Sequence, residues 1–273
     1  MDGNVQFAAD IPRQYDRVLG PFWFVPYARE MAARVASLRP RRVLEIACGT
    51  GILTEQLRRA LPGAAALTAT DLNAPMIEHA RSKLGDAGIT WRAADGTRLP
   101  FEDRAFDVVV CQFGYMFFPD KVAGFREAAR VLARDGHFLF SVWSSLADNP
   151  SGRIPHDAAN AAFQANPPDF WRIPFGYDDE RVIRQHLAAA GFQSIAIERV
   201  ALEGTAPSAR ELATGMVRGT PMYNALVERH ADIDAVESDV ARRLAAEGGS
   251  SPFRVRLEAK VITARPYRQE MAR

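Results

Sequence analysis

The chain has 273 residues, near twice the commonest domain size, which leaves room for two small domains or one enlarged α/β domain. Lysine and arginine number 34 against 33 aspartates and glutamates, so the net basic field that phosphate-backbone binding needs is missing and no nucleic-acid partner is expected. At 48% hydrophobic and 25% charged residues, the composition fits a folded protein with a large core and excludes disorder as the main state.

In chain order, residues 11–38 are aromatic and helical, with Tyr15, Phe22, Trp23, Phe24 and Tyr27 close together. The N-terminus has no basic start followed by an apolar core, and the most apolar stretch, Phe106 to Phe118, is broken by Asp107 and Gln112. Neither export nor membrane insertion is therefore expected. From Arg42 to Trp143, short β-branched runs alternate with helical periodicity, the pattern of βαβ units around a parallel sheet. Strands are expected at 42–47, 66–72, 89–94, 106–113 and 136–143, and their nearly continuous apolar character fits burial on both faces. Between them run three helical stripes: Ile52, Leu53, Leu57 and Leu61; Met76, Ile77, Ala80 and Leu84, with Asn73 as cap and Pro75 in the first turn; and Val122, Phe125, Ala129 and Leu132. Right-handed crossovers then place helices on both faces of one open sheet, a doubly wound, Rossmann-like α/β fold.

Residues 144–177 carry five prolines and several aromatics without a clean period, which reads as a functional loop or lid. A helix at 179–190, a strand at 194–202, helices at 208–217 and 222–247, and a last strand at 253–263 follow. The stripe of the long helix 222–247 suits either a dimer interface or a cover over a substrate chamber. Cys48 and Cys111 form no C-x-x-C pair, which predicts two buried thiols in a reducing, cytoplasmic compartment, with no disulfide framework and no metal site.

The chemistry concentrates where the first strand ends in Glu45-Ile-Ala-Cys-Gly49-Thr-Gly51-Ile-Leu and a helix begins. Gly49 and Gly51 allow a sharp turn and close approach to a ligand. Twenty residues on, Asp71 ends the second strand, where a carboxylate can accept both hydroxyls of a ribose. The dinucleotide fingerprint would put a third glycine where Thr54 stands, and the carboxylate of Glu45 would repel a pyrophosphate. A nucleoside cofactor with a positive charge and no phosphates fits better. The bland alternatives are a structural turn for the two glycines, a helix-leading cap for Asp71 and an ordinary loop position for Asp95.

The run VLEIACGTG, Asp71, the block AADGTRLPFEDRAFDVVVCQFGYMFFPDK and the later EAARVLARDGHFLFSVW together resemble the class I S-adenosylmethionine-dependent methyltransferases, in particular the small-molecule and quinone-methylating type. The resemblance covers roughly residues 40 to 145 and several motifs in linked order. It implies a seven-stranded, mostly parallel sheet with an antiparallel C-terminal strand and a helical cover. It also implies one domain, with an N-terminal cap at 1–39, a cofactor core at 40–145, a substrate lid with helices at 146–252 and a final strand at 253–266.

The resemblance further implies that Ala47, Gly49 and Gly51 floor the methionine moiety, with Glu45 holding its amino group indirectly or through water. Asp71 would take the ribose hydroxyls, and Leu72 and Met76 would flank the adenine. Asp95 would accept from the adenine amino group beside the backbone of Ala94 and Gly96. Gln112 would touch the methionine end by its main chain, and Tyr15 would close over the cofactor. Tyr115, Phe117, Trp143 and Trp171 are candidate walls for an aromatic or apolar acceptor, which aromatic faces also suit near a sulfonium.

Among the histidines, His156 alone falls in the aromatic segment that follows the fifth strand, which makes it the candidate general base. His137 opens the fifth strand at the end away from the crevice. His79, His186 and His230 read as packing or surface residues, the last on the stripe of Leu226 and Ile233. The rival readings are a nicotinamide-dependent oxidoreductase, opposed by Glu45 and Thr54, and a non-catalytic cofactor-binding subunit.

Overall fold

In the computed structural model, which describes residues 15–86, 88–163 and 166–267, seven strands form one sheet in the order β3-β2-β1-β4-β5-β7-β6. They are β1 (Arg42–Ile46), β2 (Ala66–Asp71), β3 (Ile89–Ala93), β4 (Phe106–Gln112), β5 (Leu132–Trp143), β6 (Phe192–Ala206) and β7 (Phe253–Pro266). β1 to β5 pair in parallel, so that Leu44 of β1 lies between Thr68 of β2 and Val109 of β4; β7 is antiparallel.

Parallel neighbours need crossovers, and helices α3 (Ile52–Ala60), α4 (Ala74–Leu84) and α5 (Lys121–Val131) supply them. The chain steps outward from β1 to β2 to β3 and then returns to place β4 on the other side of β1. The connections on either side of β1 therefore leave in opposite directions, and their separation opens a crevice beyond the carboxyl ends of β1 and β4.

The described residues divide into two compact units. One lies within residues 15–27, Trp143–Tyr177 and Ala201–Ala259; the other lies within Ala28–Val142, Asp178–Val200 and residues 260–267. The boundary at Tyr27 falls inside helix α2 (Val25–Ser37).

In the second unit, Val43, Leu67, Ala69, Val108, Val110 and Leu139 point from the strands into a core closed by Met31, Ala32 and Val35 of α2 and by Leu53 and Leu57 of α3. Each large side chain removed from water there stabilises the fold by about 1.5–3 kcal/mol. A separate aromatic core forms around Tyr115, whose ring stacks on Phe125 at 4.4 Å and meets Phe138 and Phe140 edgewise or tilted.

In the first unit, α1 (Tyr15–Phe24) is a wide, π-type helical stretch containing Pro21. Helices α6 (Pro150–Ala161), α7 (Arg172–Phe175), α9 (Ala209–Arg218), α10 (Met222–Glu228) and α11 (Ile233–Gly248) complete it, while α8 (Glu180–Ala189) belongs to the second unit.

Several expectations need correction. The long helix at 222–247 is two helices: the chain leaves α10 through His230 at φ 54, and Asp232 restarts it by accepting from the amide of Ala235. His230 is thus an exposed turn residue, not part of an apolar stripe. The segment 144–177 contains α6, which escaped notice because Gly152 and Pro155 interrupt the pattern and because the helix is buried nearly all round, which erases periodicity. β5 begins at Leu132, paired with Phe106 before an irregularity at Val108, so pairing overrides the turn-like Arg-Asp-Gly at 134–136. Asn73 does occupy the cap position of α4, but its side chain makes no capping bond.

Candidate functional site

All but one of the residues expected around the cofactor lie in the second unit, at the carboxyl ends of β1 to β4. At the end of β1 the backbone turns through left-handed conformations at Ala47 (φ 57), Gly49 (φ 54) and Gly51 (φ 80), closed by the amide of Gly51 donating to the carbonyl of Cys48 at 2.9 Å. The two glycines answer different demands. A Cβ on Gly49 would meet no atom within 4 Å, so the loop faces open space there. A Cβ on Gly51 would sit 3.0 Å from Leu84 Cδ1 and 3.1 Å from Ala80 Cβ, so Gly51 lets the loop press against α4. Ala47, without glycine's freedom, holds a conformation costing about 1–2 kcal/mol.

Asp71 ties the loop to β2. Its Oδ2 accepts from the amide of Gly49 at 2.9 Å, and its Oδ1 accepts from the amide of Asn73 at 2.9 Å. A carboxylate has about four acceptor positions, so two remain for hydroxyl groups of a ligand. The carbonyl of Asp71 also accepts from the amide of Ala94, which draws the β3 loop into the same place.

Beside Asp71, Leu72 is 60% exposed, an apolar platform held out to solvent, and Met76 is half-buried behind it. Asp95 is exposed and uses Oδ1 to accept from the amide and hydroxyl of Thr97, both at 2.8 Å, so one oxygen caps its own turn. Gly96 is buried, and a Cβ there would lie 2.6 Å from Phe118 Cζ.

Glu45 is 1% exposed on β1, and its Oε2 accepts from the hydroxyl of Thr54 at 2.6 Å. Burial, the largest cause, and the nearby charge of Asp71 push its carboxyl up to about 8, against the pull of Thr54. The two departures from the dinucleotide pattern are therefore one hydrogen-bonded pair, which sequence reading missed. A hydroxyl nine positions after a strand-borne carboxylate was the available signal. Cys48 is buried with its thiol pushed well up, by burial first and then by Glu45 and Asp71, which leaves it unreactive.

At the end of β4, Gln112 is half-buried and stands in register with Ser141 of β5. The chain then turns at Phe113 (φ 53) and Gly114, where a Cβ would strike Cys111 Sγ at 2.6 Å and Ala47 Cβ at 2.7 Å, so glycine lets the ends of β1 and β4 meet. Of the expected acceptor walls, Phe117 is 39% exposed, whereas Tyr115 is fully buried and donates its hydroxyl to the carbonyl of Gly124. Tyr115 thus belongs to the aromatic core.

The remaining expected residues belong to the first unit. Tyr15 opens α1, and its side chain lies outside the described residues. Trp143 stacks on Phe175 at 5.8 Å and meets Tyr27 edgewise at 5.4 Å. The indole of Trp171 donates to Met222 Sδ at 3.0 Å, and the ring packs edgewise on Trp23. Both tryptophans are buried.

His156, on α6, is 8% exposed, with Nε2 at 3.0 Å from the Asn160 amide nitrogen. Among the described residues no group of three or more His, Cys, Asp or Glu could hold a metal ion, and no helix is long and apolar enough to cross a membrane.

A strand-to-helix glycine loop tied to a strand-end carboxylate at the switch point of a parallel sheet defines a nucleoside-cofactor-binding protein of the doubly wound class. Residues 43–136 match the family model described as a methyltransferase domain. The chain is 36% identical over 153 residues to a demethylmenaquinone methyltransferase of Deinococcus radiodurans, covering 54% of this chain and 63% of that one. It is 30% identical over 172 residues to the ubiquinone/menaquinone biosynthesis C-methyltransferase UbiE of Azotobacter vinelandii, covering 58% and 68%. The chain thus spans less than two thirds of the Deinococcus protein's length. The YcgJ protein of Bacillus subtilis shares the fold, with a TM-score of 0.58 at 18% identity over 89% of this chain and 99% of that one. The chain belongs to the class I S-adenosylmethionine-dependent methyltransferase family.

The residues present fit that family's methyl donor, S-adenosylmethionine. The space over Gly49 is open, Asp71 keeps acceptor capacity for ribose hydroxyls, Leu72 offers an apolar face, and the buried carboxyl of Glu45 suits a cationic amino group.

Proposed function

We propose that this protein transfers the methyl group of S-adenosylmethionine to a small aromatic or apolar acceptor. The observation that carries the reading is the Asp71 carboxylate bridging the amides of Gly49 and Asn73 beside the buried pair of Glu45 and Thr54. That arrangement combines acceptors for hydroxyls with a carboxyl for a cation. The two relatives are named for quinone biosynthesis, which favours a planar aromatic acceptor.

When bound, S-adenosylmethionine supplies an electrophilic methyl group on a sulfonium, open to in-line displacement. The chain's own part is to hold and align. Asp71 orients the ribose, Leu72 and Met76 bracket the base, Asp95 with the backbone of Ala94 and Gly96 reads its edge, and Glu45 fixes the amino end, with the main chain of Gln112 beside it. Phe117 at the rim adds an apolar wall. Proximity and orientation are the largest contributions such a site can make. A phenol, amine or activated carbon needs no dedicated base once oriented.

Calorimetry with S-adenosylhomocysteine tests the cofactor site: wild-type protein binds, and Asp71→Ala weakens binding by at least tenfold. An unchanged affinity in Asp71→Ala refutes the assignment. Transfer of labelled methyl groups from S-adenosylmethionine to fractions of a cell extract tests the reaction, and binding without transfer to any fraction establishes a non-catalytic subunit instead.

A further inference from the structure

Glu45 occupies a position where an apolar residue would be the more stable choice. It stands on the central strand β1, opposite Ala69 of β2 and Val110 of β4, and is 1% exposed. A carboxyl in such a place is destabilising unless it is hydrogen-bonded or meets a cation. Its side-chain partner among the described residues is the hydroxyl of Thr54, itself fully buried, at 2.6 Å.

Thr54 is the third residue of α3, whose cap residue Gly51 makes no side-chain capping bond. The carboxyl of Glu45 thus reaches the first turn of α3 from the neighbouring strand. Burial raises that carboxyl most, the hydroxyl of Thr54 opposes the rise, the charge of Asp71 adds to it, and the amide of Thr54 opposes it again. One residue therefore supplies both of the hydrogen-bonding influences that favour ionised Glu45.

The other titratable groups around Glu45 are Asp71 at the end of β2, Cys48 in the loop and Cys111 on β4. Burial above all, with the charges of Glu45 and Asp71 adding to it, pushes both thiols up, so they stay neutral. Two carboxyls then flank the left-handed turn at 47–51 and repel each other. A cation arriving over Gly49, where a Cβ would meet nothing within 4 Å, relieves that repulsion. A buried carboxyl kept beside a second one points to a charged ligand more than to stability.

We propose that Thr54 is the positioning residue for the amino group of the cofactor, acting through Glu45: its hydroxyl and amide hold that carboxylate in place for an ammonium group. The identity of the cofactor rests on the methyltransferase reading. The dependence of Glu45 on Thr54 does not. A hydrogen bond to a charged group is stronger than one to a neutral group, so Thr54 favours the form of Glu45 with which an ammonium can pair.

Calorimetry with two ligands tests the proposal. S-adenosylhomocysteine carries the amino group, and 5′-methylthioadenosine keeps the nucleoside and the sulfur but lacks it. In Thr54→Val, a substitution of nearly equal shape, affinity for S-adenosylhomocysteine at pH 7 is expected to fall about tenfold, the worth of a hydrogen bond to a charged group. Affinity for 5′-methylthioadenosine is expected to stay level. Below about pH 8 the carboxyl must shed its proton in both proteins, so the deficit is constant. Above it wild-type Glu45 is already ionised, and the deficit narrows to about twofold at pH 9. Thr54→Ser keeps the hydroxyl and is expected to restore binding. Thr54→Ala removes the hydroxyl without adding bulk, is expected to give the same split, and decides the matter if the valine variant does not fold.

Equal loss of both ligands, or a deficit that ignores pH, assigns Thr54 to the fold and overturns the proposal. In a Glu45→Gln background Thr54→Val is expected to cost no further affinity, and a second tenfold loss there overturns it too. Wild-type protein that binds neither ligand defeats the methyltransferase reading itself. The other outcomes, in a wild type that binds both, defeat only the role of Thr54.

Discussion

Replacing Glu45 with glutamine isolates the electrostatics of the candidate site. Burial pushes the Glu45 carboxyl from its ordinary 4.5 up to about 8, so between those values the folded chain holds a proton there and the unfolded chain does not. Unfolding then releases a proton, and the stability of the wild-type protein falls as pH rises through this window, by about 1.4 kcal/mol per pH unit, levelling off above about 8. The interval caps the loss at roughly 5 kcal/mol, with roughly 3 kcal/mol of it present at pH 7. Glutamine keeps an oxygen for the hydroxyl of Thr54 and has no proton to lose. Urea unfolding of both proteins from pH 5 to pH 9 should therefore show Glu45→Gln gaining on the wild type by several kcal/mol up to about pH 8, and holding that margin beyond it. Parallel profiles for the two proteins would refute the reasoning, because they would mean that Glu45 ionises as readily in the fold as in water.

Three further outcomes follow from named contacts. If the cationic amino group of the cofactor meets Glu45, S-adenosylhomocysteine binding at pH 7 should release close to one proton, fading above about pH 8. Calorimetry in two buffers of different ionisation enthalpy measures this, and equal heats count against it. Gly96→Ala places a methyl group 2.6 Å from the Phe118 ring, and thermal unfolding should record a loss of about 1–3 kcal/mol. Asn149→Ala strips the backbone of Glu258 of a donor and an acceptor in a buried setting, and should cost roughly 2–4 kcal/mol in denaturant unfolding while leaving S-adenosylhomocysteine affinity unchanged.

The placement of the candidate cofactor residues at strand ends was legible because it is local. Glycine at 49 and 51, Asp71 at the next strand end and Asp95 at the next are each bound to a strand-to-loop junction. The order of strands and helices places those junctions at one edge of a parallel sheet. Thr54 and Glu45 were also visible, but as two objections to a dinucleotide. Their meeting at 2.6 Å depends on α3 folding back over β1, which no spacing rule announces.

Gly51 shows the same limit in reverse. Gly51 was expected to serve a sharp turn and close ligand approach; it does turn, at φ 80, and its missing Cβ also makes room for Leu84 and Ala80. In the segment after β5, periodicity failed altogether. A helix buried on most sides has no polar face to betray it, so α6 and the contact between His156 and Asn160 came to light only in the fold.

By itself, the sequence determined the fold class and the strands from β1 to β4 to within a residue. Apolar periodicity and glycine punctuation are properties of neighbouring residues, and they survive without tertiary context. Tertiary structure alone decided which polar groups are paired, which aromatics are core, as with Tyr115, and where the long helix breaks, at His230. Those outcomes depend on desolvation and on contacts between residues distant along the chain. The same Glu45 that would be an ordinary carboxylate in water becomes, once β1 and α3 close around it, a group that holds its proton to about pH 8.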